Sequence, residues 1–323
     1  MAMLTRTFFI AFLIIASFCS PEALAAASSA KRQVYVTASF TDRESLFIED
    51  LRMDEVQILE NNIPKKIELM VRDEMPTVYG LLFDKSLLAE DRAAGPTYRP
   101  GMPSATAAAR DMAFDLIDKH LRQQSMWVGS YDRKFYLALA STTDGFAAKD
   151  AIHQMSSRRT ADGVFAYAGL YSAVMEMNKH SEKRRVIILF LDTFDRESTG
   201  KISPLQNLIS MSNVELIIIS LASRTFSSSG IPPAMSRGAL SKLAQATAGE
   251  AYFSADSGGH PEDLMRQIYN RIRTFYTLGF ESDSPADIKT ELSIRCTRSG
   301  SKVKHHPSTP VLSLPQTGSL IGY

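Results

Sequence analysis

Cysteine is nearly absent from this chain of 323 residues, which contains only Cys19 and Cys296. Cys19 lies in an N-terminal apolar segment, and removal of that segment would leave one cysteine and no intramolecular disulfide. A single cysteine also excludes a zinc site built from several thiolates. We expect Cys296, in "ELSIRCTRSG", to be a half-buried strand residue. Without a disulfide, the hydrophobic core alone must stabilise the fold.

An excess of charge of one sign is also lacking. The 36 lysines and arginines nearly cancel the 35 aspartates and glutamates, which gives a formal net charge of +1. A balanced chain has no general attraction to nucleic acid or anionic lipid, so we expect neither as a partner. Hydrophobic residues form 45% of the chain and charged residues 22%, which indicates one or two globular domains.

Recognisable catalytic motifs are missing as well. The sequence contains no G-x-S-x-G elbow, Walker A loop, G-x-G-x-x-G turn or H-E-x-x-H helix. Its six histidines form no constellation for nucleophilic catalysis. We therefore expect a protein that is not an enzyme.

The N-terminus has the pattern of a secretory signal peptide. Arg6 precedes the apolar run "FFIAFLIIASF", and Ala23 and Ala25 supply small residues at the −3 and −1 positions of a cleavage site. The run is shorter than the span of about 20 apolar residues that crosses a bilayer. We predict a signal over residues 1–25, cleavage before Ala26, and export to the periplasm, the cell envelope or the extracellular space.

Two other fates of this segment remain open. An uncleaved segment would anchor the protein, and this is the only membrane contact that we expect. Lipidation of Cys19 is disfavoured because Phe18, directly before it, is bulky where that processing requires a small residue.

The segments that flank the middle of the chain have strand character. Residues 32–75 contain "VYVTASF" and "VQILENNIPKKIELMV", and the second run predicts a hairpin that turns at Asn61-Asn62. Residues 274–304 contain two further predicted strands. We predict that the two segments pair into a small β module, followed by a mobile tail over residues 305–323.

Residues 76–273 form the predicted main domain, in which strands alternate with helices. Several strand candidates are continuous apolar runs, as strands buried on both faces are. Such repeated units predict an α/β fold with a doubly wound, mostly parallel sheet and helices on both faces. One antiparallel edge strand is expected, since "KFYLALA" follows "SMWVGSY" through a tight turn. The predicted strands are "TVYGLLF", "SMWVGSY", "KFYLALA", "RVIILFL", "VELIIISL" and "EAYFSA", and the predicted helices are Ser104–Arg122, Ala147–Met155, Ala166–Met177, Ser203–Met211, Ala234–Thr247 and Pro261–Arg273.

The order of these elements resembles the von Willebrand factor type A (VWA) domain, and more narrowly the bacterial secreted VWFA-related family. The resemblance is carried, in order, by "LLFDKSLLA", "DGVFAYAGLYSAV", "VIILFLDTFDRES" and "LSKLAQATAGEAYF", while "FYTLGFESDS" and "KTELSIRC" are similar to the closing strands of the family. It covers nearly all of the mature chain. It implies a Rossmann-like fold and a protein partner that binds at the top of the sheet.

In VWA domains two aspartates, two serines and a threonine form a metal ion-dependent adhesion site (MIDAS), usually for Mg²⁺. The resemblance assigns Asp84 and Ser86 to the first two ligand positions and Asp192 to the second acidic position. Leu88 stands at the second serine position and Val164 at the threonine position, and neither offers a side-chain oxygen. Because Mg²⁺ requires oxygen ligands in near-octahedral array, the predicted site is degenerate, with weak or no metal binding.

Three other oxygen-bearing residues lie near these positions in sequence and are candidate helpers, namely Thr160, Asp162 and Asp195. Without a cation, Asp84 and Asp192 would instead cap loops or pair with neighbouring basic side chains.

Three functions stay open at this point. The first is an exported, non-enzymatic interaction module that binds a protein through the top of its sheet. The second is a structural subunit of a cell-envelope assembly that binds no metal. The third is an enzyme that uses Asp84 and Asp192 as a carboxylate pair, which the fold alone does not support.

Overall fold

The first elements of the described part of the chain are strands. The computed structural model describes residues 31–72, 75–88, 105–132, 134–156, 166–182, 184–191, 203–221, 237–257 and 261–311. Before the main sheet, the chain forms β1 (Arg32–Thr41), β2 (Val56–Glu60), β3 (Ile63–Lys65) and β4 (Ile67–Arg72).

Strands and helices then alternate along the middle of the chain, as the sequence predicts. The strands are β5 (Thr77–Asp84), β6 (Ser125–Tyr131), β7 (Phe135–Thr142), β8 (Arg184–Leu191), β9 (Val214–Ser220) and β10 (Glu250–Phe253). The helices are α1 (Ala105–Lys119), α2 (Gly145–Ser156), α3 (Ala166–Met177), α4 (Ser203–Met211), α5 (Arg237–Gln245) and α6 (Pro261–Arg273). Three strands follow the last helix, namely β11 (Tyr276–Ser282), β12 (Leu292–Cys296) and β13 (Lys302–His305).

The central sheet has the order β10-β9-β8-β5-β6-β7. All neighbouring strands in it are parallel except β7, which runs antiparallel to β6. Numbered in chain order within the domain, this is the 3-2-1-4-5-6 order of doubly wound sheets. The predicted fold class, including the antiparallel edge strand, is confirmed.

The helix bounds agree with the sequence except where local chemistry moves an end. Helices α3, α4 and α6 coincide with their predicted ranges. Helix α2 begins earlier than predicted because Asp144 caps it: its Oδ1 accepts hydrogen bonds from the amides of Phe146 (2.8 Å) and Ala147 (3.2 Å). Helix α1 ends at Lys119, before the chain reverses at Gln123, whose φ is 65°.

The sheet separates two apolar cores. Helices α1, α2 and α6 cover one face, and α3, α4 and α5 cover the other. Successive residues of β5 alternate between them, since Leu81 belongs to the first core and Leu82 to the second. Full burial of each such side chain contributes about 1.5–3 kcal/mol. The helix residues that fill the cores include Leu116, Ile152 and Ile268 on the first face, and Leu170, Leu208 and Leu243 on the second.

The strands before and after the main domain pair with each other into a β module. Its two antiparallel sheets have the orders β13-β1-β11-β4 and β12-β2-β3. Phe40, Ile58 and Phe280 lie in its own buried core. The hairpin between β2 and β3 turns at Asn61 and Asn62, whose φ angles are 50° and 64°, as in the turns that favour tight hairpins.

The structure differs from the prediction of a mobile tail over residues 305–323. As far as Val311, this stretch packs on the carboxyl end of α4. Ser308 Oγ donates a hydrogen bond to the carbonyl of Ser210 at 2.6 Å, and the amide of Val311 donates one to the carbonyl of Met211 at 2.9 Å. The last carbonyls of a helix have no partners within it, so they are available to a following segment. The remaining tail residues lie outside the described part of the chain.

His306 is buried in the same contact. Its Nε2 lies 3.2 Å from the carbonyl of Ile209, and its Nδ1 lies 2.9 Å from the carbonyl of Ser308. Burial lowers the pKa of this imidazole, although the two carbonyls favour its charged form. The interaction therefore ties the end of the described chain to the main domain through the His306 ring.

Candidate functional site

Asp84 is the last residue of β5. The chain order of the strands reverses between β5 and β8, which makes this position the switch point of the doubly wound sheet. Strand β5 pairs with β8 on one side and β6 on the other, and Asp84 lies in register with Tyr131 of β6. Ligands of doubly wound sheets bind at the carboxyl ends of the strands at this switch point. Asp84 is fully buried there, as a residue at the floor of such a crevice would be.

An apolar layer lies directly beneath this carboxylate. The rings of Phe83 and Phe190, on β5 and β8, stack with centroids 4.7 Å apart and planes 5° apart. Both rings are fully buried. They lie side by side on one face of the sheet, in the core that α1, α2 and α6 cover.

Lys85 places a positive charge at this edge. Its ammonium donates a hydrogen bond to Oδ2 of Asp132 at 2.9 Å, and the side chains are only 14% and 1% exposed. The other oxygen of Asp132 accepts a hydrogen bond from the amide of Lys134 at 3.1 Å. Asp132 is thus fixed on both sides, and the two charges compensate each other where water has little access.

Asp132 is a site residue that sequence reasoning missed. In the sequence, the residues after "SMWVGSY" indicate only a tight turn. The available signal was that an acidic residue directly follows a buried strand, as Asp84 and Asp192 do in the sequence. Because the carboxyl ends of parallel strands lie at one edge of the sheet, all three aspartates are equally good candidates for site residues.

An exposed aromatic side chain borders the ion pair. The Lys85 ammonium lies 4.6 Å from the centroid of the Tyr136 ring, within range of a cation–π interaction. The Tyr136 side chain is 43% exposed. We call Lys85, Asp132 and Tyr136 the top-edge surface.

Most of the predicted metal ligands lie outside the described residues. This applies to Asp192, Val164 and the candidate helpers Thr160, Asp162 and Asp195. Ser86 and Leu88 belong to a short 3-10 turn over Lys85–Leu88, but their side chains are not described. What the structure does bring together is Asp84, Lys85 and Asp132. It also places β8, which ends one residue before Asp192, next to β5.

The described residues do not fit a tight Mg²⁺ site. A hard divalent cation requires several oxygen ligands in near-octahedral array. Asp132 already pairs with an ammonium, and a cation fixed at this edge repels a second one. Within the described ranges, no group of three or more His, Cys, Asp or Glu side chains is placed to hold a metal ion. Leucine and valine at positions 88 and 164 remove two further oxygens from the set.

No helix in the described ranges is both long enough and apolar enough to cross a membrane. The predicted signal segment lies outside those ranges.

Comparison with known proteins gives matches among solved structures only, since neither a protein-family model nor a curated protein matches the chain. A von Willebrand factor type A protein from Catenulispora acidiphila matches with a TM-score of 0.45 and 12% identity, over 86% of this chain and 74% of that chain. An aerotolerance-related membrane protein from Bacteroides fragilis NCTC 9343 matches with a TM-score of 0.43 and 15% identity, over 61% and 98% of the two chains. Proximal thread matrix protein 1 from the mussel byssus, whose structure has a zinc-occupied MIDAS motif, matches with a TM-score of 0.44 and 14% identity, over 65% and 48%.

The strand order, the antiparallel edge strand and the acidic end of β5 together decide the type of fold. The fold is of the VWA type. Within this VWA-type fold, Asp84 stands where the resemblance places the first acidic ligand. Lys85 and Asp132 form a buried ion pair beside it, at the edge of the sheet where the metal of a complete adhesion site would lie.

Proposed function

We propose that this protein is an exported, non-enzymatic interaction module that binds a protein partner through the top-edge surface. The observation that carries the proposal is the Lys85–Asp132 pair next to the exposed ring of Tyr136. Under this proposal the adhesion site is degenerate, and it binds Mg²⁺ weakly or not at all.

The chemistry of the top-edge surface suits a protein partner. Tyrosine presents a large, rigid contact area with a polar tip, and aromatic residues are enriched among the side chains that dominate binding energy. Tyr136 supplies such an anchor beside a fixed ion pair. Covering its ring removes apolar area from water, while Lys85 and Asp132 constrain which polar groups can approach.

The fixed ammonium explains why binding would not require a metal. In a complete adhesion site, the cation presents positive charge to the partner at the top of the sheet. Lys85 supplies a covalently attached charge at that edge, held by Asp132 at 2.9 Å. Because this charge belongs to a side chain, partner binding requires no bound metal and should be unchanged by a chelator.

Export and the division of the chain are parts of the same proposal. The signal over residues 1–25 would direct the protein to the periplasm, the envelope or the extracellular space. Residues 76–273 would form the VWA-like domain that carries the top-edge surface. Residues 32–75 and 274–304 would form the β module.

A structural subunit of an envelope assembly is the second candidate. It is favoured by apolar side chains that the β module exposes: Leu46 and Ile63 are each 60% exposed and Ile288 is 50% exposed. In that case the β module, rather than the top-edge surface, would make the main contact.

Partner capture with matched variants separates these two candidates. Protein tagged at its C-terminus is incubated with envelope extract, with and without EDTA, and the captured proteins are identified. Tyr136→Ala should reduce capture of the specific partner at least tenfold, and EDTA should leave it unchanged. The control Phe146→Ala removes a more exposed ring, 79% against 43% for Tyr136, from the start of α2 and should have no effect. Equal capture by Tyr136→Ala, with loss in Ile63→Asp, would favour the structural role instead.

A further inference from the structure

Residues 305–311 connect the β module to the main domain, and we call them the joint segment. On the module side, the carbonyl of Pro307 accepts a hydrogen bond from the amide of Leu292 at 2.9 Å, and the amide of Thr309 donates one to the carbonyl of Thr290 at 3.0 Å. On the other side, the contacts of His306, Ser308 and Val311 hold the segment at the carboxyl end of α4. The joint segment is therefore held by two different parts of the fold at once.

His305 is the first residue of the joint segment and links it to β12. Its Nε2 accepts a hydrogen bond from the amide of Ile294 at 3.2 Å, and its Nδ1 lies 2.8 Å from the carbonyl of His306. Because an amide N–H can only donate, Nε2 must present a lone pair to it. The single proton of the neutral ring then lies on Nδ1, which donates it to the carbonyl. One neutral tautomer thus satisfies both ring nitrogens.

Proton uptake by His305 breaks one of these two contacts. A proton on Nε2 faces the proton of the Ile294 amide, so two donors meet where a donor and an acceptor met before. Ile294 is only 4% exposed, and a buried amide that loses its acceptor destabilises the contact to which it belongs. The hydrogen bond between β12 and the joint segment therefore requires an uncharged ring.

The elements packed around His305 carry cations. Strand β1 places Ala38 opposite His305, β12 carries Arg295, and β13 carries Lys304, whose ammonium pairs with Glu250 at 2.9 Å. Helix α4 has no titratable residue. Burial lowers the pKa of His305, and the contact with the carbonyl of His306 offsets this only in part. In the bound segment, the ring is therefore half protonated only below its ordinary pKa of 6.5. Further titratable groups of the neighbouring segments are Lys289, Glu291, Cys296, Lys302 and His306.

We propose that the joint segment is an acid-sensitive switch, in which proton uptake by His305 releases the segment from β12 and loosens its contact with α4. As the pH falls through 6.5, a released ring takes up a proton before a bound one, so acid favours release. At higher pH neither ring is charged, and the segment stays bound. Contacts outside the segment keep the β module attached, such as the hydrogen bond from Asn213 Nδ2 to the carbonyl of Tyr35 at 3.2 Å. The switch is independent of the top-edge surface.

Amide hydrogen exchange, followed by NMR on the full chain, tests the switch. Protection factors are measured at about pH 7.5 and about pH 5.5 and corrected for the intrinsic exchange rate at each pH. The protection of the Ile294, Thr309 and Val311 amides should fall about tenfold, because a released imidazole with a pKa of 6.5 is charged about ten times more often than neutral at the lower pH. The amides of β8, in the centre of the main sheet, should keep their protection.

Variants at two adjacent positions assign the effect. His305→Gln supplies an uncharged acceptor and should remove the pH dependence of the Ile294 amide, whereas the matched variant His306→Gln should leave it. Protection of Ile294 that does not change with pH, or that falls equally in His305→Gln, would overturn the proposal.

The ring nitrogens of the unmodified protein give a reading that depends on no variant. Their ¹⁵N chemical shifts should show a proton on Nδ1 of His305 and none on Nε2 above pH 6.5. The loss of Ile294 protection should follow the protonation of Nε2 as the pH falls. A proton on Nε2 at neutral pH would contradict the proposal.

Discussion

The ammonium of Lys85 lies 2.9 Å from the carboxylate of Asp132. Lys85 directly follows the buried Asp84, the last residue of β5. The pair occupies the edge of the sheet where a complete adhesion site of this fold type would hold a metal ion.

Removing one member of this pair should cost far more than removing an exposed one. Lys85→Met removes the ammonium that pairs with the buried Asp132 and should lower the free energy of unfolding by on the order of 3 kcal/mol. The control Lys149→Met breaks a pair with Asp118, 2.7 Å long but 29% and 49% exposed, and should cost under about 1 kcal/mol. Urea denaturation measures both.

A double variant tests the origin of that loss. Asp132→Asn keeps an acceptor for the Lys134 amide but carries no charge. Combined with Lys85→Met, it should recover most of the stability lost in the single variant, because the buried negative charge is then removed together with its ammonium. Losses that simply add would show that the two side chains do not act as a pair.

Mild acid should loosen the contact between the end of the described chain and α4. Burial lowers the pKa of His306 below its ordinary value of 6.5, with a smaller contribution in the same direction from Lys289. As the pH falls through 6.5, the unfolded chain takes up the proton first, so stability that is present above this pH is lost below it.

A variant at position 306 checks this assignment. His306→Gln should flatten the dependence of unfolding free energy on pH below 6.5, although burial of His120 and His305 lowers the pKa of each and leaves part of the slope. An unchanged slope in His306→Gln would assign the acid sensitivity to other groups.

Export should leave a processed N-terminus. If the site after Ala25 is used, the mature protein begins near Ala26 and is soluble after osmotic shock. N-terminal sequencing of that fraction measures this directly. An intact Met1 in the membrane fraction would support the uncleaved anchor instead.

Local pattern predicted most of the main domain. The apolar repeat of "AYAGLYSAVMEM" has the period of a helix, and α3 spans those residues as predicted. The continuous run "VIILFL" is apolar on both faces because both faces of β8 are covered. Asp84 could be placed at the end of β5 because a buried strand stops at that carboxylate.

What could not be predicted depends on contacts between distant residues. In the sequence, His306 and Ser308 indicate a polar tail. Their burial depends on carbonyls at the end of α4, almost a hundred positions earlier in the chain. The partnership of Lys85 and Asp132 depends on the neighbouring positions of β5 and β6, which the sequence indicates only in outline. Asp132 was therefore overlooked although its sequence context resembles that of Asp84.

The central claim, that this VWA-type fold presents its top edge without a tightly bound metal, is tested most directly by titrating Mg²⁺ into the protein. Millimolar Mg²⁺ should hardly raise the melting temperature of the unmodified chain, since stabilisation grows with the ratio of ligand concentration to dissociation constant. Leu88→Ser with Val164→Thr should restore two ligand oxygens and create a Mg²⁺-dependent shift, which Lys85→Met should enlarge and Asp84→Ala should abolish.

Calorimetry on the unmodified protein gives the decisive reading. The account predicts no saturable heat of Mg²⁺ binding up to millimolar concentration. Tight binding of one Mg²⁺ per chain would contradict it, and would mean that side chains such as Thr160, Asp162 or Asp195 complete the site.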